Sequence, residues 1–239
     1  RRTFLVQAGE ASPGKPAVRK ETARKDLAKG KPKGGKQPPA ADSPTIEVDF
    51  FPESGELVAE MENRVYFTAR DAQGRPVAIS GKVLDSAGRP WAQVETTFEG
   101  MGVFMMEPRV SEMYRLKIDQ PDTTQKNTRL PEVVSTHQIV LTTGLGVFAS
   151  GKPLEFNIRA AEAGIPLVAT AWCRGATVGE QAIVTEANAN SVSIPLADEV
   201  GGAVRLTIYD YRFSPPRRVA ERLVYRQPAE RLDVRLAVS

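Results

Sequence analysis

Of the side chains able to do chemistry, the sequence supplies one cysteine, Cys173, and one histidine, His137. One cysteine excludes an intrachain disulfide framework and a thiolate zinc site, and one histidine removes a His-rich metal centre. Cys173 follows Trp172 in an apolar run, where a thiol packs as a small hydrophobe. A reactive thiolate would need a cation beside it, for which Arg174 is the neighbour at hand. His137 stands alone just before an apolar run and lacks the spaced partners of a ligand or general base, so it reads as a surface or interdomain residue. Carboxylates recur at i, i+2 in Glu47/Asp49 and Glu60/Glu62, one face of a strand, and Asp198 adjoins Glu199. Solvated faces account for them more simply than a glycosidase pair or a calcium site.

Two phosphate-binding spacings overlap. Gly144-Leu-Gly-Val-Phe-Ala149 has a dinucleotide-loop spacing, and Gly146 to Lys152 has most of a phosphate loop. Each needs a strand, the loop, then a helix whose N-terminus meets phosphate. Pro153 stands where a magnesium-holding hydroxyl belongs, and Leu154-Glu-Phe-Asn-Ile158 continues as a strand. The glycines therefore read as turn and bulge residues, no cofactor is expected, and the chain reads as no enzyme. Arg212-Phe-Ser-Pro-Pro-Arg-Arg218 has recognition character. Two prolines extend the chain, and Arg212, Phe213, Arg217 and Arg218 are candidates for protein contact on a long hairpin loop. Trp91 with Tyr66 is the candidate aromatic platform for a carbohydrate.

The elements that must position these groups follow from pattern. The chain has 239 residues, 41% apolar and 26% charged, with 19 glycines and 18 prolines. This composition suits a folded globule rich in turns, and no apolar run reaches the length of a membrane-spanning helix. Residues 7–44 hold nine Lys/Arg against four acids, whereas 45–239 hold 21 against 25. Val18 and Leu27 are the only larger aliphatics of 7–44, too few to offset chain entropy, so a disordered basic linker is expected there. It has no aromatic for base stacking, and a specific nucleic-acid partner is not expected. Arg1 to Val6 reads as the end of an upstream strand.

From Thr45 onward the period is two. Ile46, Val48 and Phe50 alternate with Glu47, Asp49 and Phe51; Val65, Phe67 and Ala69 with polar neighbours; then Val77, Ile79, Gly81 and Val83; then Leu116 and Ile118. Turn signals Pro52-Glu-Ser-Gly55, Asp71-Ala-Gln-Gly74, Asp85-Ser-Ala-Gly88 and Glu99-Gly-Met-Gly102 separate the runs. The spacing predicts a first sandwich over 45–119, a polar linker over 120–132, a second sandwich over 133–228, and in 229–239 a last strand or the start of another domain. The fold class is all-β: two tandem seven-stranded antiparallel sandwiches. Ala59 to Pro76 and Ala149 to Pro166 echo each other at a period of about 90 residues, as tandem domains of one kind would. Adjacent pairs Phe50/Phe51 and Met105/Met106 cannot both point inward along a regular strand. Phe51 or Met106 is therefore expected at a contact between domains.

Several strings resemble the macroglobulin domains of bacterial alpha-2-macroglobulin-like proteins: Asp49-Phe-Phe-Pro-Glu-Ser-Gly-Glu-Leu-Val-Ala59, Asn63-Arg-Val-Tyr-Phe67, Asp71-Ala-Gln-Gly-Arg-Pro76 with Ser80-Gly81, Gly100-Met-Gly-Val-Phe104, and Ala220-Glu-Arg-Leu-Val-Tyr225 followed by Arg231-Leu-Asp-Val234. The resemblance covers roughly 45–239. It implies fibronectin-like sandwiches in a larger protein that entraps proteases, located in the periplasm, at the cell surface or secreted, with neighbouring macroglobulin domains and proteases as partners. Full-length family members often carry a Cys-x-x-Gln thioester; here Arg-Gly-Ala follows Cys173, so no functional residue carries over and the implied role is structural. A carbohydrate- or cell-surface-binding sandwich is the alternative.

Overall fold

Alternation becomes strand along most of the chain. A computed structural model describes residues 45–123 and 127–229, and all of these belong to one unit. In β1 (Ile46–Pro52), Ile46 and Val48 are buried while Glu47, Asp49 and Phe51 face solvent. In β3 (Asn63–Asp71), Val65, Phe67 and Ala69 are buried, and in β4 (Ser80–Leu84) Gly81 and Val83 are. Leu116 and Ile118 of β7 (Arg115–Gln120) complete this set. Two further strands, β5 (Pro90–Phe98) and β6 (Met101–Met106), form a hairpin closed at Glu99-Gly100.

The first sandwich is one folded ladder, ordered β1-β3-β6-β5-β4-β7-β8, with β8 at Asn127–Arg129. Strand β5 joins its halves: Pro90 to Glu95 pair with β4, and Thr96 and Phe98 pair with β6. The core between them includes Val65, Phe67, Phe104, Leu116 and Ile118. A Cβ on Gly102 would stand 2.4 Å from the Phe67 ring, so the absent side chain is what lets that ring lie across β6. A short parallel pair, β2 (Leu57–Val58) with β9 (Val133–Val134), ties the following segment back to this sandwich.

The second sandwich repeats the order with two separate sheets. One holds β10 (Ile139–Thr142), β12 (Leu154–Ala160) and β15 (Asn188–Ile194). The other runs β11 (Val147–Phe148), β17 (Arg217–Arg226), β16 (Gly202–Asp210), β13 (Pro166–Cys173), β14 (Ala176–Val184). Strands β3 and β12, which carry the sequence echo, hold the same place, each between the first and the fifth long strand of its sandwich. Leu154, Phe156, Ile158, Leu167 and Ile208 build this core, and Cys173 is buried in it as a small hydrophobe.

Two expectations change. The stretch 120–132 contains β8, paired with β7, and Leu130 enters the first core, because Asn127-Thr-Arg129 needs only backbone bonds to extend an edge. The second sandwich has eight strands among the described residues; Val147-Phe148 adds a short one parallel to β17. The expectations for residues 1–44 and for 232–236 lie outside the described residues.

Candidate functional site

The turn Pro52-Glu-Ser-Gly55 brings the two sandwiches together. Its backbone closes with Gly55 N–H donating to Pro52 O at 2.9 Å. Gly55 has φ +90°, and a Cβ there would lie 3.2 Å from the Glu221 carbonyl oxygen on β17. Beside it, Glu221 N–H donates to Ser54 O at 2.9 Å, so the two backbones touch with no side chain between them.

This approach carries Glu53 into the junction, where its side chain is 1% exposed. Glu53 Oε1 accepts from Thr143 N–H at 2.8 Å and meets Arg222 Nη1 at 2.7 Å. Glu53 Oε2 lies 3.3 Å from Arg64 Nη1, and the same Nη1 donates to Thr143 O at 3.3 Å. Taking a carboxylate out of water costs several kcal/mol unless charge and hydrogen bonds replace the water. Here two arginines and a backbone amide do so. Burial works against the Arg64 charge, but its bond with Tyr66 and the Glu53 carboxylate outweigh burial and hold its pKa above the ordinary value. The Arg222 guanidinium lies over the Tyr66 ring, 5.6 Å from its centroid. The set is not fully satisfied: Glu53 Oε2 and Arg222 Nε lack a hydrogen bond among the described residues.

Two further contacts link the sandwiches. His137 is buried, with Nε2 2.9 Å from Glu56 Oε2 and Nδ1 accepting from Ile139 N–H at 3.4 Å. That pattern assigns the proton to Nε2. Arg159 Nη1 meets Glu62 Oε1 at 3.1 Å.

Above this polar floor opens a groove of about 550 Å³, with Phe51, Tyr66 and Met101 on one wall and Leu145 and Leu223 on the other. Phe51 is 53% exposed, Leu145 93% and Leu223 70%. Such a lining offers a ligand apolar contact and charge. Among the described residues, no group of three or more His, Cys, Asp or Glu gathers as a metal site, and no helix is long and apolar enough to cross a membrane.

The sequence-derived candidates fall in different places. Phe51 lines the groove. Met106 does not: it lies in the first core at 4% exposure, and Met105 is its exposed neighbour, because β6 turns Gly102, Phe104 and Met106 inward. Arg212 is held within its own hairpin, bonding both Asp210 oxygens at 2.7–3.1 Å, with Glu162 Oε2 3.7 Å away. Burial pushes the Asp210 carboxyl up, but its bonds to Arg212 outweigh this and lower its pKa. Phe213 is exposed with the Arg217 guanidinium 5.8 Å over its ring, and Arg218 lies 3.5 Å from Glu221. Trp91 packs against Tyr114 at 5.5 Å with Arg109 over its ring, whereas Tyr66 stacks with Arg222 instead. Gly144 to Gly146 lead into the short strand β11, as the turn reading expects. Sequence reasoning passed over Glu53 and Arg222. The available signal was an acid set directly after Phe50-Phe51-Pro52, at the end of a strand with a buried face.

The strand order defines an immunoglobulin-like β-sandwich, present twice. No family model matches the chain, and no curated protein matches it. Solved structures resemble it in fold: the BSP domain of a biofilm-associated protein (12% identity, 77% of this chain and 30% of that one, TM-score 0.36), E. coli alpha-2-macroglobulin in its native conformation (14%, 77% and 14%, 0.30), and domains 5–6 of the S-layer protein SbsC (12%, 78% and 100%, 0.34). The chain thus spans under a third of the first two. At these identities the likeness singles out none of them, and an alpha-2-macroglobulin is one of several.

Proposed function

We propose that the chain is a non-catalytic pair of β-sandwich modules in a larger macroglobulin-like protein of the periplasm, cell surface or secreted space, and that the larger protein inhibits endopeptidases. The observation that carries this reading is Glu53. It lies in the Asp49–Ala59 run on which the resemblance rests, and it is spent on clamping one sandwich to the next. Sandwiches joined in a chain move freely unless something fixes their angle, and a stacked shell of modules needs that angle fixed. Neighbouring modules and proteases are the partners on this reading. The test mixes the longest natural form of the protein with a panel of endopeptidases, each assayed on a small peptide and on a protein substrate. Loss of protein cleavage with peptide cleavage retained supports entrapment; undiminished cleavage of both by every protease rejects inhibition.

The alternative, a carbohydrate- or cell-surface-binding sandwich, is favoured by a different aromatic from the one the sequence suggests. Trp172 is exposed on the outer face of β13, with Arg205 over its ring at 5.7 Å. A glycan array probed with the chain and with Trp172→Ala checks it: binding lost in the variant supports the alternative, and no binding by either form removes its carbohydrate version.

A further inference from the structure

One side of the molecule exposes more apolar surface than a free sandwich needs. On the outer face of the first sandwich, strand register lines up Phe51, Tyr66 and Val103 in one row across β1, β3 and β6. Met101 and Met105 flank Val103 along β6, and Phe98 pairs with Met101. The groove carries this surface over to Leu145 and Leu223. From Leu223 it continues two residues along β17 to Tyr225, which pairs with Val147 of β11. The large side chains of this band, Tyr66 aside, are 43–93% exposed. At roughly 150–200 Å² per large side chain, the nine leave about 800 Å² uncovered, above the usual patch on a monomer and equal to one partner's share of a stable interface.

Charged residues border this band. At the first-sandwich end, Glu47 and Asp49 are exposed on β1, with the exposed Arg70 of β3 directly opposite Glu47. At the junction, Arg64 and Arg222 share Glu53 beneath the groove, while Arg205, beside Leu223, and Arg218 share Glu221 at 4.0 and 3.5 Å. Charges of both signs thus rim an apolar middle, as at a protein–protein interface. Turned by a two-fold axis through that middle, the surface lays its apolar band on the same band of a second copy.

We propose that this face is an isologous docking surface for a second copy of the chain, with the apolar bands stacked across a two-fold axis. Sedimentation velocity on the chain between about 1 and 100 μM at low salt tests it. A reversible dimer is expected. Val103→Asp and Leu223→Asp each place a charge in the apolar middle and weaken it at least about tenfold with thermal unfolding unchanged. If Leu223→Asp lowers the melting temperature, Leu145→Asp, at a nearly free side chain, replaces it. A wild-type chain monomeric throughout that range overturns the proposal, as does a dimer indifferent to the Asp substitutions. Protease inhibition is read separately, so either proposal fails without the other.

Discussion

The Asp85 loop and the Glu53 turn both bury a carboxylate at the end of a strand, and they differ in where the partners come from. Asp85 is served from within five residues: Oδ1 accepts from Arg89 N–H at 2.8 Å, and Oδ2 from Arg89 Nε at 2.8 Å. The string Asp-x-x-Gly-Arg-Pro occurs twice, and Asp71 makes the same two bonds to Arg75 at 2.9 and 2.8 Å. Glu53 takes its amide from Thr143, 90 residues on, and its closest cation from Arg222. A loop that satisfies its own carboxylate folds correctly whatever the second sandwich does. A turn that borrows its partners is satisfied only when both sandwiches are in place, so Glu53 reports on their union.

Removing Glu53 should therefore produce the largest effect. Glu53→Ala leaves Arg222 and Arg64 without their carboxylate at a buried junction, a change that costs about 3–5 kcal/mol in comparable pairs. Because the loss falls between the sandwiches, denaturant unfolding followed by separate probes should split from one transition into two. A single transition at an unchanged midpoint would break the comparison. Gly55→Val comes next. It puts a β-branched side chain at φ +90° and 3.2 Å from the Glu221 carbonyl, and should cost about 1–3 kcal/mol while loosening the same junction. Gly74→Ala, at φ +75° with open space around it, keeps the backbone strain and removes the clash, so the excess of Gly55→Val over it measures the close approach.

What the sequence disclosed follows the same division between local and distant causes. β1, β3, β4 and β7 are legible because one face is buried and the other wet, and adjacent residues alternate accordingly. β5 hides because most of its residues are exposed or half-buried on both faces, and β6 hides because Gly102 sits where an inward hydrophobe belongs and the Phe67 ring fills the space from another strand. β8 offers only Asn127, Thr128 and Arg129, whose reason for being a strand is the free edge of β7. At the site, the doubled Phe50-Phe51 forecast an outward ring, and Phe51 is one. The Met105/Met106 pair told only that one of the two is exposed; which one depends on the register of β6, fixed by its pairing with β3. Glu53 and Arg222 could not be joined from sequence at all, since no spacing rule connects a turn in one sandwich with a strand in the other.

The aspartate loops sharpen the comparison from its weak side. Burial pushes the Asp85 carboxyl up, but the Arg89 backbone and side-chain bonds outweigh it, and its pKa falls below the ordinary Asp value. At Asp71 the Arg75 backbone bond leads, burial opposes it, and the result is again lowered. A carboxyl depressed in the native state stabilises fully above the unfolded value of about 4, and that contribution is lost as pH falls through the depressed native value. Asp85→Asn should thus lower the melting temperature by about 2–4 °C near neutral pH and flatten its decline in acid. Asp71→Asn, in a more exposed loop where water substitutes for Arg75, should shift it by no more than about 1–2 °C. Neither should divide the unfolding transition, because each loop's bonds stay within its own sandwich. If Asp71→Asn split the transition as Glu53→Ala is expected to, the junction would not be the place where the two sandwiches depend on each other.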